Sequence, residues 1–146
     1  MSKYYLAYGS NLNLRQMAQR CPTAKVVGTT YLENYELLFR GPHGCAVATV
    51  EPCKDSKVPV MIWEIQDRDE HALDIYEGYP RLYTKETVKV KLGRKSVEVM
   101  MYVMTEGRPL ALPSAYYYAT ILHGYKTAKF DKTFLDEGVD KSRTTN

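Results

Sequence analysis

Between residues 25 and 104 the chain is a succession of short β-like runs broken at close intervals by turn-forming residues, and this punctuation limits the folds open to it. Lys25–Leu32, Tyr35–Phe39, Ala46–Val50 and Val58–Ile65 are rich in β-branched and aromatic residues, which fit a pleated, half-buried surface. Glu33-Asn34, Gly41-Pro42-His43-Gly44 and Pro52-Cys53-Lys54-Asp55 interrupt them as turns. A second pair of runs, Thr84–Leu92 and Ser96–Met104, flanks Gly93-Arg94, the right length for a two-residue hairpin. Short, turn-linked strands of this kind favour a mostly antiparallel sheet that curls or closes.

Helical patterns punctuate the sheet. Lys3–Tyr8 reads as a strand that runs into Gly9, and Leu14, Met17 and Ala18 then share one face of a helix ended by Cys21-Pro22. Asp67-Arg-Asp-Glu70 has the spacing of a capping box, leading into a helix that Gly78 and Pro80 terminate. Pro113-Ser114 caps a third helix from Ala115 to about Gly124. The reading is one domain over residues 1–137, with residues 138–146 as a polar, frayed tail. The fold class expected is α+β, with a mixed, barrel-like, mostly antiparallel sheet and a few flanking helices.

Composition removes several classes of function. Twenty basic and 17 acidic residues leave a formal charge of +3 with no basic stripe, so nucleic-acid binding gets no support. No apolar run approaches bilayer length, so no membrane association is expected. Cys21, Cys45 and Cys53 cannot all pair and show no CxxC spacing, which with the absence of a signal-peptide pattern points to a reduced, cytoplasmic protein. Oligomeric state is not readable. The marked bias is 13 tyrosines against three phenylalanines and one tryptophan. Most of these suit half-buried strands, and a cavity lined by some would suit an amphiphilic ligand.

Two stretches could carry chemistry. Glu77 falls in the last turn of its helix, where the macrodipole disfavours a carboxylate by roughly 0.3–1 kcal/mol. That placement, with flanking rings at Tyr76, Tyr79 and Tyr83 to exclude water, raises a carboxyl pKa toward the range of a general acid or base. An exposed glutamate before a helix-ending glycine is the alternative. In Tyr8-Gly9-Ser10-Asn11-Leu12, a glycine at a strand end permits close backbone approach, and the N–H groups entering the next helix suit an anion. Local reasoning equally allows Asn11 and Asn13 to be helix caps.

Other schemes are weaker. Ser10 is not in a G-x-S-x-G turn, Cys45 would need His43, His71 or His123 brought to it by the fold, and the scattered histidines give no metal-ligand spacing. No phosphate-binding glycine loop is present, so neither a metal nor a cofactor is expected. Asp74 and Glu77 share a helical face, an arrangement that more often simply faces solvent.

Taken together, the elements resemble the γ-glutamylcyclotransferase family, including its AIG2-like members. The resemblance rests on Tyr8–Leu12, on Leu73-Asp74-Ile75-Tyr76-Glu77-Gly78 after a strand with Trp63, on Tyr83 and Tyr102, on Pro113-Ser114, and on Ile121–Tyr125. It implies a small fold on a barrel-like sheet with the site at its mouth. It also implies a cofactor-free enzyme in which the α-amine of a γ-glutamyl group attacks its own γ-carbonyl, giving 5-oxoproline and an amine or amino acid. By that resemblance Glu77 is the acid/base, the segment from Tyr8 through Leu12 (with Gly9, Ser10 and Asn11) holds the glutamyl moiety, and Tyr83 and Tyr117 are walls or donors for the small γ-glutamyl substrate. A non-catalytic protein binding a small metabolite in the same cavity is the alternative reading.

Overall fold

The computed structural model describes residues 2–143. Five strands, β1 (Lys3–Ala7), β2 (Lys25–Arg40), β3 (Val47–Ile65), β4 (Tyr83–Leu92) and β5 (Lys95–Met104), form one sheet in the order β2-β3-β1-β5-β4. Four helices accompany it: α1 (Leu14–Arg20), α2 (Asp67–Glu77), α3 (Ala115–Ala128) and α4 (Lys132–Lys141). β1 is central, antiparallel to β3 and parallel to β5, while β2–β3 and β4–β5 are antiparallel pairs. The α+β class with a mixed, mostly antiparallel sheet is therefore what forms. The sheet curls without closing: its edges β2 and β4 approach at Gly28, where a Cβ would lie 3.0 Å from Leu92 Cδ1, but they share no ladder.

β1 is covered on both sides, with Tyr5, Leu6 and Ala7 all buried. A strand buried on both faces loses its alternating pattern, and this explains the weak alternation of its sequence. The hairpin between β4 and β5 forms as expected, with Gly93 at φ 66°.

The sequence reading divides residues 25–40 and 46–65 into four strands, whereas each is one long strand. Asn34 and Asp55 do adopt the left-handed conformation of turn residues, φ 64° and 68°. They do so inside a continuing ladder. Between the pairs Glu33–Lys57 and Tyr35–Pro52, Asn34 on β2 faces the excursion of Cys53, Lys54, Asp55 and Ser56 on β3, and Asn34 Oδ1 accepts from Asp55 N–H at 3.1 Å. The residues that signal a turn here make a bulge, which bends the ribbon without ending it.

The second correction is at the C-terminus. The tail expected from Gly138 belongs to α4, whose N-cap Asp131 accepts from Thr133 N–H. A Cβ at Gly138 would lie 2.9 Å from Leu37 O, so this glycine lets α4 lie directly on β2. Fully buried Ser142 then fastens the helix end, its Oγ accepting from Phe39 N–H and donating to Gly138 O, both at 2.8 Å. Residues 144–146 lie outside the described residues. Ser142→Ala removes the partner of a buried N–H, and we expect a loss of about 1–3 kcal/mol with an unchanged m-value in urea unfolding. A variant as stable as the parent would contradict this anchoring. Among the described residues no helix is long and apolar enough to cross a membrane.

Candidate active site

β1 delivers the chain into the site. Beyond Ala7, Tyr8 and Gly9 lead into a 3-10 turn, Ser10–Leu12, and Asn13 then caps α1 by accepting from Gln16 N–H at 3.1 Å. Capping is thus the work of Asn13 and not of Asn11. Within the turn, Leu12 N–H reaches Gly9 O and Asn13 N–H reaches Ser10 O, each at 3.0 Å. The N–H groups of Ser10 and Asn11 precede the first bond such a turn can close on itself. A Cβ on Gly9 would lie 3.2 Å from Ala48 Cβ, a tight contact, and 3.6 Å from Tyr117 Oη, so glycine lets the backbone pass close to β3 without pressing on Ala48.

α2 supplies the other half. Its capping box lies one residue earlier than Asp67–Glu70: Gln66 is the N-cap, and Asp69 at N3 accepts from Gln66 N–H at 2.9 Å. Asp69 wins because it is buried and bonded to Thr23, whereas Glu70 turns outward to Lys3 and Lys85. At the other end Gly78, φ 66°, stops the helix directly after Glu77. Asp74 does not face solvent as a bare acid. It accepts from Tyr102 Oη at 2.5 Å and pairs with Lys85 Nζ at 2.9 Å, tying α2 to β4 and β5.

Glu77 differs from Asp74. Among the described residues no hydrogen bond or ion pair reaches its carboxylate. Burial pushes its pKa from the usual 4.5 up to about 7, while the positive charge of Arg20 pulls in the opposite direction. Desolvation exceeds attraction because Arg20 acts from a distance and water is largely shut out.

Both halves open into one cavity of about 240 Å³. Gly9, Ser10 and Asn11 line it from the turn and Glu77 from α2, with Val47, Ala48, Leu82 and six tyrosine rings completing the wall. Of the residues singled out in the sequence, Tyr8, Gly9, Ser10, Asn11, Glu77, Tyr83 and Tyr117 are thereby brought together. Leu12 is not among them: it is fully buried, against Gly124 of α3. Tyr79 also falls outside, exposed and with Lys85 over its ring.

Hydroxyl groups in the wall have distinct duties. Tyr8 donates to Tyr102 O and Tyr83 to Ala48 O, each at 2.5 Å, so both present ring surface to the cavity. Tyr117 instead accepts from Ala48 N–H at 3.1 Å. Ser10 Oγ bonds Tyr76 Oη at 2.8 Å, and the Asn11 side chain is held at both ends, by Tyr5 and by Arg20. The polar side chains of the turn are therefore engaged with protein, which leaves the backbone as its open hydrogen-bonding surface.

This cavity joins a strand-end glycine turn to a desolvated glutamate, and the sequence agrees in kind. Residues 5–119 match the family model described as "Gamma-glutamyl cyclotransferase, AIG2-like". The chain belongs to this family. A solved γ-glutamyl cyclotransferase superposes with a TM-score of 0.81 at 25% identity, covering 100% of this chain and 90% of that one. An uncharacterized human protein gives 0.83 at 25% identity, covering 99% and 89%. A glutathione-specific γ-glutamyl cyclotransferase from yeast gives 0.64 at 11% identity, covering 97% of each chain, a likeness of fold alone. No curated protein sequence matched. The AIG2-like assignment makes the chain a protein of γ-glutamyl cyclotransferase type.

Sequence reasoning missed Tyr5 and Arg20. Tyr5 sits in a strand buried on both faces, so alternation could not aim it. Arg20, at the C-terminal end of α1, is indistinguishable in sequence from a solvated helix-end cation. In the fold its guanidinium lies 3.4 Å over the Tyr76 ring centre and donates to Asn11 Oδ1.

Proposed function

We propose that this protein is a cofactor-independent γ-glutamyl cyclotransferase in which Glu77 moves the proton. The supporting observation is a single unpaired carboxyl, with its pKa raised to about 7, in the same cavity as the Gly9–Asn11 turn. The α-ammonium of a γ-glutamyl group, with an ordinary pKa of about 8, must lose a proton before its nitrogen can attack. Ionised Glu77 takes that proton. The nitrogen attacks the γ-carbon, the ring closes, and the bond from the γ-carbon to the departing nitrogen breaks. Protonated Glu77 gives its proton to that nitrogen, and the second proton that the attacking nitrogen sheds on becoming a lactam N–H follows by the same route. The products are 5-oxoproline and a free amine or amino acid in its ammonium form, and the glutamate ends as it began.

A carboxyl near 7 is suited to both halves of this cycle, since neither protonation state is strongly disfavoured at neutral pH. The tyrosine wall holds the glutamyl chain folded, and much of the rate comes from that confinement because the reaction is intramolecular. The N–H groups of Ser10 and Asn11 are available to an anionic oxygen of the substrate. Incubation with γ-glutamyl amino acids and γ-glutamyl amines, with 5-oxoproline measured, tests the reading. We expect turnover of at least one member, with kcat/KM falling below about pH 7 as Glu77 becomes protonated. Binding of such compounds without any turnover would defeat it.

A further inference from the structure

The hydroxyls of the tyrosine wall fall into two groups according to where their protons go. Tyr8, Tyr83 and Tyr102 each donate to an oxygen of the protein. Tyr5 and Tyr117 do the reverse: Tyr117 Oη accepts from a backbone N–H, that of Ala48, whereas Tyr5 Oη accepts from a side chain, Asn11 Nδ2 at 2.8 Å, and among the described residues no oxygen takes the Tyr5 proton. Tyr5 lines the cavity and is only 3% exposed. A buried phenol whose lone pair is filled by a protein donor has one hydrogen bond left to give, and the cavity is where it can be given.

The donor behind Tyr5 is itself fixed. An amide whose orientation is free would as readily present its oxygen to a hydroxyl as its nitrogen. Here the Arg20 guanidinium, which can only donate, occupies Asn11 Oδ1 and so forces Nδ2 toward Tyr5. Arg20 is held in turn by Gln16 Oε1 at 3.2 Å and by the face of Tyr76. The sequence Arg20, Asn11, Tyr5 is thus a one-way chain of donors that starts at a cation and ends at a hydroxyl in the cavity, each bond polarising the next.

Its target follows from charge. Burial first, and then the Glu77 carboxylate in the same cavity, raise the cost of ionising Tyr5, so the phenol stays protonated and lies within the field of Glu77. A second carboxylate, that of the substrate, is disfavoured so close to Glu77. The γ-carbonyl belongs there, because the nitrogen that Glu77 deprotonates attacks it. We propose that Tyr5 is a catalytic hydrogen-bond donor to the γ-carbonyl oxygen as it becomes an oxyanion, and that Arg20 and Asn11 are the positioning residues that aim it. This rests on the cyclotransferase reading above.

Tyr5→Phe removes the donor and keeps the ring. Loss of one oxyanion donor costs on the order of 10²- to 10³-fold in kcat, and here KM is expected to rise by no more than about fivefold, since the bond is far stronger in the transition state than to the ground-state carbonyl. Arg20→Met is expected to lower kcat by roughly threefold to tenfold and Arg20→Lys to recover part of it, because a cation can still reach Asn11 Oδ1. A second readout needs no turnover. The lactam oxygen of 5-oxoproline is the former γ-carbonyl oxygen, so calorimetric affinity for it should weaken about fivefold in Tyr5→Phe.

A Tyr5→Phe variant with parental kcat and parental 5-oxoproline affinity overturns the proposal, as does a change confined to KM. A shift of the acidic limb of the pH profile with kcat preserved on its plateau would place the hydroxyl on Glu77 instead and also overturns it. If the parent protein turns over and Glu77→Gln is inactive, these outcomes strike only the Tyr5 assignment. A parent that neither turns over nor binds 5-oxoproline takes down both readings.

Discussion

Glu77→Gln is expected to abolish 5-oxoproline formation and, at about pH 8, to make the protein more stable. The rate loss should be about 10³-fold, within the 10²–10⁴ that a positioned acid/base supplies, because glutamine keeps the shape and can neither take nor return a proton. The stability gain has the same cause. Below the unfolded value near 4.5 the carboxyl is protonated in folded and unfolded chains alike, and its burial carries no ionic cost. Between 4.5 and about 7 the folded state holds a proton that the unfolded state has released, so stability falls as pH rises. Above about 7 the carboxylate is ionised in both states, and the folded chain bears the full penalty of desolvation, roughly 1–3 kcal/mol. Glutamine has no such penalty. Urea midpoints of both chains at about pH 4.5 and about pH 8 should diverge with rising pH; parallel pH dependences would mean that Glu77 is not desolvated.

Much of this site was legible, and the limits have physical reasons. Glu77 stood out because a carboxylate in a last helical turn opposes the dipole, and Gly78 fixed the helix end to the residue. Gly9 stood out as a glycine at a strand end, a position where a side chain would meet Ala48 and Tyr117. Ser114 capped α3 as read, accepting from Tyr117 N–H. Turn propensity misled at Asn34 and Asp55 because a bulge uses the same left-handed conformations as a turn and differs only in whether the ladder resumes beyond it. The end of α3 and the whole of α4 were hidden for another reason. Lys129 adopts φ 62° at the C-cap of α3, where glycine is the usual signal, and Gly138 sits inside α4, where glycine usually argues against a helix. Tertiary packing on Leu37 overrides the propensity there. Tyr5 and Arg20 depend on contacts between separate elements, which no local pattern encodes.

The same tension between propensity and packing gives the second large effect, at Gly124. This residue lies within α3, and replacing an interior helix glycine with alanine ordinarily stabilises by about 1 kcal/mol. Here the added Cβ would lie 2.7 Å from both Leu12 C and Leu12 Cβ and 2.8 Å from Leu12 O. Two of these atoms are backbone, so no side-chain rotation relieves the contact; either α3 or the turn Ser10–Leu12 must move. Overpacking of this kind costs about 1–3 kcal/mol or more, and with rigid backbone on one side the upper part of that range outweighs the propensity gain. Gly124→Ala is therefore expected to be less stable than the parent by about 1–3 kcal/mol, with the transition temperature lowered by roughly 3–10 °C. Its second consequence is catalytic. Leu12 N–H closes the turn onto Gly9 O, so a displacement of Leu12 carries Ser10 and Asn11 with it, and with Asn11 the donor to Tyr5. A misplacement of the order of 1 Å can cost about 10²-fold in rate, and we expect kcat/KM to fall at least tenfold in protein that remains folded at the assay temperature. Calorimetric melting with parallel 5-oxoproline assays separates the two effects. A Gly124→Ala chain that melts higher than the parent would show helix propensity prevailing over the contact, and would remove the close approach of α3 as the support on which the Gly9–Asn11 turn is held.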